Sequence, residues 1–195
     1  DPEKLPVFMN RLLNATAAAP QPDLVVWPET AVPYLLEYAQ PIFDEIAIAA
    51  RGAPVVLGIQ RRDDDWYYNS LVVVDDNAQV TDTYDKYHLV PFGEYMPLTD
   101  LASKVGLRGL AEAAGGYGRG PGPHMIDLGD LGQALPLICY EAVFAQDVGA
   151  APVRPAFLIQ ITNDAWFGQR AGPQQHLAQA RMRAIEQGLP LARAA

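Results

Sequence analysis

A chain of 195 residues, half of them hydrophobic and 19% charged, is long enough for one domain with one substantial core and too apolar to stay disordered. Its formal net charge of -9 excludes the basic face of a nucleic-acid binder and argues against purely electrostatic docking on anionic lipid. One cysteine excludes an internal disulfide, and the scattered His88, His124 and His176 lack metal-ligand spacing, so no metal or cofactor is expected.

In chain order, helices and strands alternate. Leu5 to Ala19 reads as a helix with Leu5, Phe8, Met9, Leu12 and Leu13 on one face. Leu24 to Trp27 is a short buried strand stopped by Pro28. Pro41 to Ala50 forms the next helix, with Pro41 in its first turn and Gly52 past its end. A strand follows over Pro54 to Gln60, then a hairpin of Trp66–Val74 and Gln79–Tyr84 turning at Asp75–Ala78. Asp63, Asp64 and Asp65 read as a solvated turn.

His88 to His124 has little regular pattern and is rich in glycine and proline. A loop of this length in a compact domain is usually functional or mobile. It carries Phe92, Tyr95, Met96, Leu98, Leu101, Val105, Leu107 and Leu110, which suggest an apolar lid. Strands then follow near His124–Leu128, Gly132–Ile138 and Ala156–Ile161. Pro173 to Gly188 reads as a helix with Leu177, Ala180, Ala184 and Ile185 on one stripe, and a new strand is expected after Pro190. No run has the length of a membrane span, and no signal peptide opens the chain. The pattern implies a layered α/β domain, in which ligands bind at the carboxyl ends of strands.

Those ends carry the chemistry. One strand runs into Glu29, one into Lys86, one into Cys139, and one into Thr162-Asn163-Asp164. If they converge, a lysine can lower the pKa of the thiol and stabilise an oxyanion, and a carboxylate can shuttle the proton. Together they suit acyl transfer through a thioester. Each residue also has a plain structural reading. Cys139 could be a small core residue, Glu29 a helix-start acid and Lys86 a surface lysine. Spacing in sequence leaves these alternatives open.

Six separated motifs, in order, bear on that choice. They are Val26-Trp27-Pro28-Glu29-Thr30, the run from Tyr84 to Tyr95, Leu137-Ile138-Cys139-Tyr140-Glu141, the run from Thr162 to Gly168, Gly172-Pro173-Gln174-Gln175-His176, and the run from Ala180 to Glu186. Their order resembles the nitrilase (carbon-nitrogen hydrolase) superfamily, and the longer strings resemble its apolipoprotein N-acyltransferases. The resemblance covers the chain from about Asp23 onward.

It implies a single nitrilase-like domain over residues 1–195, an α-β-β-α sandwich truncated at its C-terminus and separated from N-terminal membrane helices. By position, Glu29 would be the general base and acid, Lys86 the oxyanion stabiliser, Cys139 the nucleophile, and Glu94 an additional glutamate orienting Lys86 or the thiol. Tyr140, Glu141 and Trp166 would face substrate. Tyr140, Trp166 and Phe167 also have packing readings, while His88 and His176 read as hydrogen-bonded structural groups.

The partners implied are a phospholipid acyl donor, a diacylglyceryl-modified apolipoprotein acceptor and the membrane. The implied location is the periplasmic side of the bacterial inner membrane. A soluble amidase or carbamoylase with the same triad, and a silent binding domain of the same fold, are the alternatives. Such amidases carry an Arg and a Pro shortly after Cys-Tyr, which Cys139-Tyr140-Glu141-Ala142-Val143-Phe144 lacks.

Overall fold

In the strands, side chains alternate between two faces, and here both faces are buried. The computed structural model describes residues 4–18, 20–95 and 116–195. Their strands form two four-stranded sheets. The first runs β1 (Val25–Val26), β2 (Val55–Asp63), β3 (Trp66–Val74), β4 (Val80–Asp85), with β1 parallel to β2 and the other pairs antiparallel. The second runs β5 (Ile126–Asp127), β6 (Gln133–Ile138), β7 (Phe157–Ile161), β8 (Leu191–Ala194). Here β6, β7 and β8 are parallel and β5 is antiparallel to β6. The strand expected after Pro190 is β8.

The alternation sorts the core into layers. Val56, Leu71, Val73 and Tyr84 of the first sheet meet Ile126, Ala134, Ile138, Ile159 and Ile161 of the second. On the outer side of the first sheet, Val55, Leu57, Ile59, Val72 and Val74 pack against α1 (Leu5–Thr16) and α2 (Gln40–Ala50). Outside the second sheet, Leu135, Leu137 and Leu158 cluster with Ala142 and with Val148 of α3 (Ala145–Gly149). The long helix α4 (Ala171–Gln187) lies on that side too, against the segment after β6. The layering is α-β-β-α, as the resemblance implied. Burying each large aliphatic side chain contributes about 1.5–3 kcal/mol, so this layered interior is the main source of stability.

Two helix faces differ from expectation. In α1, Met9 is buried and Leu12 and Leu13 pack on the core, but Leu5 and Phe8 are exposed. In α4 the buried stripe is His176, Ala180 and Arg183, spaced four and three apart, whereas Leu177 and Ile185 face outward. Hydrophobicity misplaces this face because the helix covers a polar feature, described below, rather than an apolar one. In the region read as a lid, Met96, Leu98, Leu101, Val105, Leu107 and Leu110 lie outside the described residues, Phe92 is exposed and Tyr95 half-buried. Among the described residues, no helix is long and apolar enough to cross a membrane.

Candidate active site

β1, β2 and β4 run the same way, so β1 and β4 deliver Glu29 and Lys86 to one edge of the first sheet. The parallel β6 and β7 deliver Cys139 and Asn163 to an edge of the second. A hydrogen bond joins the two edges, with the Asn163 backbone N–H donating to Glu29 Oε2 at 3.0 Å.

Glu29 follows Pro28, which halts the strand, and it is buried. Its segment presses against Gly58 of β2. A Cβ there would lie 2.5 Å from Thr30 N and 2.6 Å from the Glu29 Cα, so only glycine fits. Glu29 Oε1 accepts from Asn69 Nδ2 at 2.7 Å and faces Lys86 Nζ at 3.5 Å.

Lys86 is 1% exposed, which removes its reading as a surface lysine. Its ammonium donates to Glu94 Oε1 at 2.7 Å. Asn69 also donates to that oxygen, at 3.1 Å, and bridges the two glutamates. The second Glu94 oxygen accepts from the Val90 N–H at 2.8 Å, which anchors the carboxylate in its own turn. Burial works against the ammonium, but Glu29, Glu94 and Cys139 outweigh it and raise its pKa.

Cys139 opens a short 3₁₀ segment, Cys139–Val143, directly after β6. It is buried, and its φ of +51° is left-handed. Such a backbone costs a non-glycine residue about 1–2 kcal/mol, so its surroundings must hold it. The carbonyl of Cys139 accepts from Gln160 Nε2 at 3.1 Å and lies 3.0 Å from His176 Nε2.

The Cys139 thiol is pushed up from 9.0 to about 11. Burial is the main cause, followed by Glu29. Lys86 and a hydrogen bond with the Thr162 side chain pull the other way, and Glu94 adds to the rise. At neutral pH the sulfur is therefore a thiol, and its use as a nucleophile needs a base. Glu29, Lys86, Glu94 and Cys139 thus share one electrostatic neighbourhood. Among the described residues, no group of three or more His, Cys, Asp or Glu could hold a metal ion.

Glu141 differs from its expected place. It is fully buried, and both oxygens are taken by protein donors. Oε1 accepts from the N–H groups of Tyr87 (2.9 Å) and His88 (3.2 Å), and Oε2 from the Ile138 N–H (2.8 Å) and the Tyr84 hydroxyl (2.9 Å). It ties the Lys86 loop to the Cys139 strand and leaves no oxygen for substrate. Burial raises its pKa from 4.5 to about 7 against the pull of these donors.

Tyr140 is half-buried, edge-on to Phe144. His88 stacks on Phe144 at 3.5 Å and its Nδ1 meets Asp147 at 2.9 Å, which is a structural role. Trp166 is 85% exposed, which removes its reading as a loop anchor, whereas Phe167, although exposed, packs its ring 5.0 Å from that of His176. Asn163 and Asp164 do more than close a turn, since Asn163 binds Glu29 and Asp164 binds Arg193 and His176.

Sequence reasoning missed Asn69, Tyr117 and Gln160. Tyr117 donates its N–H to the Glu94 carbonyl, and burial followed by the charges of Glu94 and Glu29 raises its pKa. Asn69 and Gln160 had a readable signal, because each is an amide inside a strand rich in apolar residues.

With the geometry established, comparison with known proteins is informative. The carbon-nitrogen hydrolase pattern matches residues 4–195. The chain belongs to the carbon-nitrogen hydrolase family. Family relatives include an apolipoprotein N-acyltransferase of Brucella suis, 43% identical over 99% of this chain and 38% of the relative. Another, from Rhodopseudomonas palustris, is 42% identical over 89% of this chain and 34% of the relative. The chain therefore spans less than two-fifths of these relatives.

Among solved carbon-nitrogen hydrolases, one from Helicobacter pylori aligns with a TM-score of 0.64 at 20% identity, covering 99% of this chain and 68% of that one. An amidase from Nesterenkonia aligns at 0.63 and 22%, covering 100% and 70%. At that identity, the likeness is one of fold.

Proposed function

We propose that this chain is the catalytic domain of an apolipoprotein N-acyltransferase acting through a Cys139 thioester. The observation that carries the reading is the burial of a thiol, an ammonium and a carboxylate in one neighbourhood, in a chain whose relatives bear that name. Substrates and location follow the resemblance: phospholipid as donor, the α-amine of a diacylglyceryl-modified cysteine as acceptor, on the periplasmic side of the inner membrane.

Glu29 takes the proton from the Cys139 thiol, and the sulfur attacks an ester carbonyl of the phospholipid. The tetrahedral intermediate places its negative charge near Lys86. The carbon–oxygen bond to the lysophospholipid breaks, and Glu29 returns the proton to the departing oxygen. The acceptor amine then attacks the thioester. Glu29 receives the amine proton, the carbon–sulfur bond breaks, and the thiol is reprotonated. Lys86 cannot substitute for the base, because Glu94 and Glu29 hold it as an ammonium. Tyr140 and Trp166 are assigned to the mouth of the site, where Trp166, with Phe92 also exposed, offers apolar surface to an acyl chain.

The test uses the full-length membrane protein incubated with phospholipid vesicles. A hydroxylamine-labile acyl group on the Cys139 peptide, absent in Cys139→Ala, is the expected result by mass spectrometry. Rapid hydrolysis of small amides with no acyl group taken from phospholipid would replace this reading with an amidase. Neither adduct nor turnover would leave a binding domain.

A further inference from the structure

The buried polar stripe of α4 has no part in the chemistry above. His176 is 4% exposed, on a helix whose large apolar residues Leu177, Met182 and Ile185 face outward. Its Nδ1 lies 3.0 Å from Asp164 Oδ1, and its Nε2 lies 3.0 Å from the Cys139 carbonyl oxygen. Asp164 is itself fixed, because Arg193 of β8 donates to its other oxygen at 2.6 Å. Arg193 also donates to Gln160 Oε1 at 2.9 Å, which settles the orientation of that amide and turns its Nε2 toward the same Cys139 carbonyl. Two side chains, from β7 and α4, thus end on one backbone oxygen, and each is fixed from behind, Gln160 by Arg193 and His176 by Asp164.

We propose that His176, pinned by Asp164, is a positioning residue that holds the Cys139 carbonyl and so aims the sulfur at the acyl carbon. This rests on the assignment of Cys139 as nucleophile. The physical argument is that a left-handed residue has a competing conformation close in energy. Rotation of the peptide after Cys139 would swing its carbonyl and turn the Cα–Cβ bond with it. Gln160 and His176 oppose that rotation from the outer face of the sheet. Neither needs to touch the substrate. Asp164 fixes the ring: its carboxylate accepts from Nδ1–H, and with Nε2–H donating to the Cys139 carbonyl both ring nitrogens are donors, so the ring that holds the carbonyl is the imidazolium in an ion pair with Asp164.

The two amide replacements separate position from bulk. A glutamine reaches about where Nε2 stands and can donate to the carbonyl. An asparagine reaches only toward Nδ1 and cannot.

In the full-length protein, His176→Asn is expected to lower kcat for acyl transfer by roughly 30-fold or more, with KM within about threefold, because misplacement of reacting atoms acts on the chemical step. His176→Gln is expected to restore most of the loss. Iodoacetamide labelling of the Cys139 peptide, which needs no substrate, should slow in His176→Asn and recover in His176→Gln. Wild-type kcat and labelling in His176→Asn would overturn the inference, as would equal losses in both variants.

Should His176→Asn fail to fold, Gln160→Met removes the other donor to the same oxygen. About a tenfold lower kcat at unchanged KM is expected there, and a wild-type kcat overturns the proposal. Failure of the acyl-transfer reading looks different: the unsubstituted protein would show no acyl group on Cys139, whatever the labelling rates of the His176 variants.

Discussion

The two walls of the site hold their reactive groups in opposite ways. On the first-sheet side, Lys86 is held by its head: Glu94 and Glu29 take the ammonium, and Asn69 spaces the two carboxylates. On the second-sheet side, Cys139 is held by its main chain through Gln160 and His176. The difference matches the roles proposed for the two groups. An ammonium that stabilises charge can stay in its ion pairs, whereas a nucleophile must keep its reactive atom free, so its support has to reach it through the backbone.

Substitutions on each wall should therefore fail differently. The largest effect is expected for Glu29→Gln, which removes the proposed base and should lower acyl transfer by about 10²–10⁴-fold. Because Glu29 is among the groups that raise the Cys139 thiol toward 11, the same change should accelerate iodoacetamide labelling at neutral pH. Slower labelling would show that Glu29 does not oppose the thiolate.

Lys86→Met should cost roughly 10²–10³-fold in kcat. It also leaves Glu29 and Glu94 without their cation, at about 3–5 kcal/mol of stability read from denaturant midpoints. Activity loss with an unchanged midpoint would contradict the buried pairing.

Gly58→Ala pushes on the backbone of Glu29 and Thr30 without touching either wall's side chains. About 1–3 kcal/mol of destabilisation and a tenfold or greater fall in kcat are expected. An alanine variant with full activity would show that the Glu29 segment can move aside.

The smallest effect concerns Glu141, which joins the walls. Its carboxyl is raised from 4.5 to about 7 by burial. Between those pH values the folded protein keeps a proton that the unfolded chain has released. Stability from this group is therefore full below about 4.5, falls as pH rises toward 7, and is level above it. Glu141→Gln should flatten that decline, which amounts to about 3 kcal/mol at most. An identical pH profile in the variant would assign the decline to other groups.

The strands, and the exits at which Glu29, Lys86 and Cys139 stand, were legible because they are local statements. An apolar run stopped by Pro28, or ended at Cys139, marks a strand and its exit without any knowledge of neighbours. The α4 face was not legible. Hydrophobicity points to Leu177 and Ile185, but the helix turns His176 and Arg183 inward because their partners are the Cys139 and Val143 carbonyls, each about 40 positions away. Glu141 failed for the same reason. Standing two residues after Cys139, it reads as substrate-facing, yet its donors come from Tyr84, Tyr87 and His88 and draw it into the interior. Polar burial depends on partners, and partners are a property of the fold.

The bond from Asn163 to Glu29 spans 134 positions. Contacts of such separation form only after the intervening chain has lost much of its freedom, and during synthesis the later residue leaves the ribosome long after the earlier one. A nascent chain therefore carries Glu29 and even Cys139 well before the two edges can meet. Its sulfur leaves the ribosome as an ordinary exposed thiol, and its burial beside Glu29 and Lys86 comes only with the completed sandwich.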